Sequence, residues 1–235
     1  IKSGSSFSFY GGTSKGVEKH TKVKTRIMAS ALAELIGTAE NVLIMGHQFA
    51  DLDCLGSAVG MYKAVRQMGK PAAIVLNRQR NLAFPLYNRL AQNGYADAFV
   101  EADLAVDLIG KKTLLVVVDT HLPHILESRE VYNACKTVVV IDHHRKMVGH
   151  IDNAVIFYHE PYASSASEMV TELVQYFGDN VKIGKMEAEA LLSGIMLDTK
   201  NFVMKTGVRT FEAAAYLRKQ GADTVEVRKL FSNSM

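Results

Sequence analysis

Four short apolar runs constrain the fold most: "NVLIM" from Asn41, "AAIVL" from Ala72, "TLLVVV" from Thr113 and "TVVVI" from Thr137. They are rich in β-branched residues and apolar at consecutive rather than alternate positions, so strands formed from them need cover on both faces. Helical spacing separates some of them; the first run passes through a polar turn into a helix that should end near Met68. Strand, loop and helix in repetition describe an α/β class, a doubly wound, mainly parallel sheet flanked by helices.

After about Ser164 the chain becomes a helical C-terminal part, with "ASEMVTELVQYF", "KMEAEALLSGIML" and "VRTFEAAAYLRKQ". Gly221 stops the last of these, and Asp223 or Thr224 is placed to cap one more helix. At the other end, "SFSFY" at residues 6–10 alternates like a strand, and Val23, Ile27, Ala31, Leu32 and Ile36 mark an amphipathic helix from Gly16 to Ile36. One strand and one helix make no core, so this piece either packs on the main body or is left from a preceding domain. The chain is expected to belong to a longer protein.

Composition removes several function classes. With 235 residues and 48% hydrophobic side chains the chain can bury one large core. A formal charge of +3 is too slight for a phosphate-tracking surface, so no long nucleic acid is expected as a partner. No apolar run approaches the ~20 residues that a membrane helix needs. Cys54 and Cys135 offer no disulfide framework and suit a reducing, cytoplasmic setting. Both read as small buried residues.

The polar residues collect where ligands bind in such sheets, at the carboxyl ends of strands. His47, Asp51 and Asp53 follow the first run, Asp119, Thr120 and His121 the third, and Asp142, His143 and His144 the fourth. Singly, an Asp there is ordinarily a helix cap and a His a structural donor. Jointly they crowd carboxylates that repel one another unless protons or cations intervene. Mixed carboxylate and imidazole donors favour Mn2+, with Mg2+, Co2+ or Fe2+ as alternatives, over structural zinc. The surplus of carboxylates suggests two ions, which about 3.5–4 Å apart stabilise the attacking and leaving oxygens of displacement at phosphorus. A phosphate ester or anhydride is the expected substrate.

In order along the chain, "GHQFADLDCLGSAVG", "VVVDTH", "VIDHH" and "LLSGIMLDTKNF" resemble the four metal-binding motifs of the DHH phosphoesterase superfamily. The likeness covers about Asn41 to Met235. It implies that His47 and Asp51 hold one metal and Asp53 and His143 the other, with Asp119 bridging and Asp198 completing the set. Asp198 also stands out because a carboxylate near the C-terminal end of a helix is electrostatically unfavourable. Asp142 is expected to orient a ligand imidazole. For His144 two roles stay open: contact with the scissile phosphate or leaving oxygen, or structural donation. His121 and Arg145 are candidates for substrate phosphate, and Gly56 and Gly60 for close packing of helix on sheet.

The front end narrows the resemblance. "FYGGTSKGVEKHTKVKTRIMASALAELI" looks like the last strand and closing helix of the degenerate GGDEF domain found in GdpP-type cyclic-di-AMP phosphodiesterases. Residues 1–37 would then be that remnant with its linker helix, and 38–235 the DHH domain. The resemblance implies hydrolysis of cyclic-di-AMP to linear 5′-pApA, membrane-anchored full-length proteins facing the cytoplasm, a following DHHA1 domain as partner, and a homodimer as an option. The glycine-rich GGGH stretch of a DHHA1 domain is missing here, so metal binding is expected to survive better than turnover. The alternatives are an oligoribonuclease, or nanoRNase, acting on short RNA or pApA, and a metal- or nucleotide-binding module without turnover of its own.

Overall fold

A computed structural model describes residues 17–231, so the strand expected at residues 6–10 lies outside the described residues. The first helix, α1 (Val17–Thr38), leads into β1 (Asn41–Met45), α2 (Leu52–Gln67), β2 (Ala72–Val75), α3 (Phe84–Leu90) and β3 (Phe99–Val100). Next come α4 (Ala102–Asp107), β4 (Thr113–Val118), α5 (Arg129–Ala134), β5 (Thr137–Asp142) and β6 (Ile156–His159). The helical part follows as α6 (Ala166–Val174), α7 (Lys185–Asp198), α8 (Val208–Lys219) and α9 (Thr224–Lys229).

Six strands pair in the order β3-β2-β1-β4-β5-β6, and every neighbouring pair is parallel. The four apolar runs are β2, β1, β4 and β5. The two strands that no apolar run announced stand at the edges: β3 has two residues, and β6 reads "IFYH", with only Tyr158 fully buried. Strand order reverses between β1 and β4, and at such a switch the carboxyl ends of the strands open a crevice.

The sheet is covered on both faces, as consecutive apolar residues require. Val42, Ile44, Leu114, Val116, Val118, Val139 and Ile141 pack into one core, which also holds residues of α1, α2, α6 and α7. Leu43, Met45, Leu115, Val117, Val138 and Val140 enter the other, with Ala105 of α4 and Val131 of α5. Helix α1 belongs to the main body: Ala29, Leu32 and Ile36 are buried in the first core. A polar clip holds it too, with Lys24 Nζ donating to Glu160 Oε1 at 2.5 Å and Thr25 Oγ1 2.8 Å from Tyr158 Oη.

Gly56 and Gly60 serve helix-on-helix contact rather than the expected helix-on-sheet contact. A Cβ on Gly56 would stand 2.3 Å from the Ala190 carbonyl oxygen, and one on Gly60 2.8 Å from the Leu191 side chain. Because α2 is covered by the sheet on one side, its opposite, small-residue face is free to take α7 at close range.

Candidate metal centre

The turn after β1 is fixed by backbone bonds to the chain beyond β4, with Gln48 N–H donating to Ile125 O at 2.7 Å and Glu127 N–H to Gly46 O at 3.0 Å. His47 Nδ1 lies 2.7 Å from its neighbour's carbonyl, Gln48 O, so Nδ1 carries the proton and Nε2 faces the cleft. Nε2 stands 3.3 Å from Asp119 Oδ2 and 4.0 Å from Asp51 Oδ1. Asp51 is also the N-cap of α2, its Oδ1 accepting from Asp53 N–H at 2.9 Å and Cys54 N–H at 3.0 Å. Asp119 adopts φ +58°, a left-handed turn at the end of β4.

A second imidazole completes the convergence. His143 Nε2 lies 3.2 Å from Asp198 Oδ2, 3.4 Å from Asp119 Oδ1 and 3.7 Å from Asp53 Oδ2. Asp53 is fully buried, and its oxygens accept the backbone N–H groups of Ala166 at 2.7 Å and Ser167 at 2.8 Å. The six residues expected from the sequence therefore meet, with one oxygen of Asp119 toward each imidazole. Asp119 Oδ1 and His143 Nε2 are buried without a well-formed hydrogen bond. Orphaned donor atoms of this kind are costly unless something outside the protein satisfies them.

The protonation tendencies tell the same story. Burial alone would lower the His47 imidazole, yet its bond to Asp119 and that carboxylate's charge push it up to about 9. His143, opposed by burial but facing the Asp119, Asp198 and Asp53 carboxylates, is pushed up to about 11. Burial and the neighbouring Asp119 raise both Asp51 and Asp53, Asp53 well above the carboxylate range. Asp119 is held low because His143 and His47 outweigh its burial. Without an ion, protons on the imidazoles do the compensating.

Asp142 does not orient an expected ligand. One of its oxygens accepts from His144 Nδ1 at 2.8 Å and the other from His121 Nδ1. β5 ends at Asp142, and beyond it the His143 and His144 rings lie side by side, centroids 4.4 Å apart, His144 Nδ1 also standing 3.7 Å from Asp119 Oδ1. His121 is buried, and its Nε2 accepts the Met147 backbone N–H at 3.1 Å, which leaves neither nitrogen for the phosphate contact expected of it. His144 is more than half exposed, at 54% of its side chain, with Nε2 outside these bonds. His159, which sequence reasoning missed along with β6, bonds the His144 carbonyl oxygen through Nε2 at 2.5 Å. Arg145 lies exposed in the following loop, outside the lining of the cleft. That cleft encloses about 340 Å3 beside His47, Asp51, Asp119, His121, His144 and Asp198.

The start of α6, where Asp53 docks, had a signal in the sequence. "SASE" at 165–168 has the form of a capping box, and Ser165 Oγ accepts from Glu168 N–H at 3.0 Å, while the Glu168 carboxylate takes the N–H of Ser164 instead. The donor set fits divalent cations: hard carboxylates and imidazole nitrogens, with orphaned atoms facing one another across a few ångströms.

Comparison with known proteins gives the family. Residues 41–195 match the model of the DHH family, N-terminal domain. The cyclic-di-AMP phosphodiesterase GdpP of Geobacillus thermodenitrificans is 45% identical over 231 residues, and PdeA of Listeria monocytogenes, also named a cyclic-di-AMP phosphodiesterase, 40% over 232. Each match takes in 97% of this chain and 35% of the relative, so the chain spans about a third of their length. An exopolyphosphatase-related protein from Bacteroides fragilis shares the fold at TM-score 0.75 and 20% identity, over 89% of this chain and 61% of that one. The chain belongs to the DHH family.

Proposed function

We propose that this chain is the metal-binding half of a phosphodiesterase that hydrolyses cyclic-di-AMP to linear 5′-pApA. The observation that carries the reading is the convergence of His47, Asp51, Asp53, Asp119, His143 and Asp198 at the switch point, with two buried donor atoms lacking partners. The names of the relatives supply the substrate. His47, Asp51 and Asp119 would hold one divalent ion and Asp53, His143, Asp119 and Asp198 a second, with Mn2+ the preferred metal. When bound, such ions supply Lewis acidity and neutralise charge at phosphorus.

The remaining residues hold and move protons. Asp142 holds the Nδ1 proton of His144 and favours its imidazolium form, so that the doubly protonated ring can donate its Nε2 proton to the leaving ribose oxygen. His121 and His159 position this group from behind and from the backbone. Arg145, on the loop after the triplet, is free to swing toward substrate phosphate. Residues 1–37 are, in this reading, the end of a degenerate GGDEF domain with its linker helix, and a DHHA1 domain beyond the chain completes the substrate site.

The test is Mn2+-dependent hydrolysis of cyclic-di-AMP by this chain and by a version extended through the next domain, with Asp119→Ala as control. Formation of pApA by the extended protein, abolished in the variant, is expected. Release of mononucleotides from short RNA with cyclic-di-AMP untouched would overturn the reading in favour of a nanoRNase.

A further inference from the structure

Strand β6 is braced by a helix from far away in the chain. Lys24 and Thr25, neighbours on α1, meet its last residues: Thr25 Oγ1 lies 2.8 Å from Tyr158 Oη, and Lys24 Nζ donates to Glu160 Oε1 at 2.5 Å and to the His159 carbonyl oxygen at 3.4 Å. The Glu160 side chain is 7% exposed, so its carboxylate depends on that ammonium more than on water. Glu160 in turn donates its backbone N–H to Asp142 O at 3.1 Å, and His159 stands opposite Asp142 in the sheet register. From the same stretch, His159 Nε2 donates to the His144 carbonyl oxygen at 2.5 Å.

We propose that Lys24 is a positioning residue for His144: by holding the Glu160 carboxylate it fixes the end of β6, and through His159 and Asp142 it fixes the imidazole that protonates the leaving oxygen. This rests on the reading of His144 as the proton donor. Helix α1 then does more than cover the sheet. The His144 side chain is 54% exposed, so packing contributes little to its orientation, and the bonds at its Nδ1 and its carbonyl oxygen carry that task. Both bonds lead back to the junction of β5 and β6, where Lys24 sits.

The place of β6 at the sheet edge is why a brace matters. It has four residues, and β5 is its neighbour in the sheet. Phe157 and His159 project to one face, their ring centroids 5.8 Å apart, while Tyr158 projects to the other and joins the core that holds α1. A shift of β6 along β5 would carry His159 away from the His144 carbonyl, and Lys24 and Thr25 oppose that shift. Removing the ammonium strands a buried carboxylate, which is costlier than losing both partners together. Glu160 gains relief by turning to solvent, and the backbone that carries His159 moves with it.

The extended protein, saturated with Mn2+, tests this on two substrates: cyclic-di-AMP, and the p-nitrophenyl ester of 5′-AMP, whose leaving group departs without a proton. Lys24→Met should lower kcat on cyclic-di-AMP ~2–30-fold with KM little changed, and leave cleavage of the p-nitrophenyl ester at the wild-type rate. Loss of folded or metal-loaded enzyme would not produce that split. Lys24→Arg should restore kcat. Glu160→Gln, approaching the pair from its other side, should show the same split, and the double variant should lose no more than the worse single one. Lys22→Ala, which breaks the neighbouring α1 ion pair to Glu212, should match the wild type. Equal losses on both substrates, or wild-type kcat in Lys24→Met, would overturn the proposal and leave the role of His144 standing. Cleavage of cyclic-di-AMP that His144→Gln does not slow would overturn both.

Discussion

The carboxylate of Asp53 receives the backbone N–H of Ala166 at 2.7 Å, and thereby ties the first turn of α2 to the first turn of α6. Its second oxygen takes Ser167 N–H, while the group as a whole stands 3.7 Å from His143. One side chain thus anchors two helices and faces the candidate metal centre. Asp53→Asn replaces an acceptor with an NH2 group turned against a backbone N–H. Leaving one buried donor unmet should cost about 1–3 kcal/mol, read by urea denaturation, and metal affinity should fall with it. Asp119 ties no helix N-terminus in this way, so Asp119→Asn should lose metal with the α2–α6 tie intact, its cost in stability coming only from the lost charge beside His47 and His143.

Gly194 sets the spacing behind the same carboxylate. A Cβ there would lie 2.2 Å from Ser167 Oγ and 2.7 Å from Asp53 Oδ1. Gly194→Ala should cost about 1–3 kcal/mol by overpacking and displace Asp53. Thermal unfolding should show a lowered Tm, and a metal titration a weaker site, although residue 194 touches no ion.

Asp142→Asn is expected to spare metal binding and damage turnover. An asparagine meets one of the two imidazoles, His121 or His144, with an N–H where both require an acceptor. Loss of such a positioning bond typically costs ~10–100-fold. In the extended protein the loss should fall on kcat, with Mn2+ stoichiometry unchanged by metal analysis.

The pH dependence of the metal-free chain follows from its imidazoles. His47 and His143 are raised to about 9 and about 11 in the folded state, above the ordinary value of 6.5. A raised folded value contributes stability that is fully present below about 6.5 and is lost as pH climbs through the folded values. With chelator present, Tm should therefore decline between neutral pH and pH 9–11. Metal binding near neutrality should release protons, measurable by calorimetry in buffers of different ionisation enthalpy. A metal-free Tm that rises over that range would count against this charge arrangement.

The central strands were readable because each holds an unbroken run of apolar residues, as a sheet covered on both faces demands. β6 escaped because an edge strand needs less cover, and "IFYH" mixes polar and apolar residues. His47, Asp51, Asp53, Asp119 and His143 were legible as carboxylates and imidazoles following strands, whereas Asp198, at the end of α7, was reached only through the fourth motif. Their pairing was not: that Asp142 serves His121 and His144 depends on how the turn after β5 folds back beside the chain beyond β4, and that Asp53 holds α6 depends on tertiary packing. His159 carried no local pattern, and its role arises only where β6 runs beside β5.

The account stands on cations compensating this crowd of carboxylates. Calorimetric titration of the chelator-treated chain with Mn2+, beside Asp119→Ala, tests it most directly. We predict two ions bound by the wild type and loss of both high-affinity sites when the bridging carboxylate is removed. A wild-type chain that binds no divalent ion, or an Asp119→Ala variant that keeps both, would contradict it.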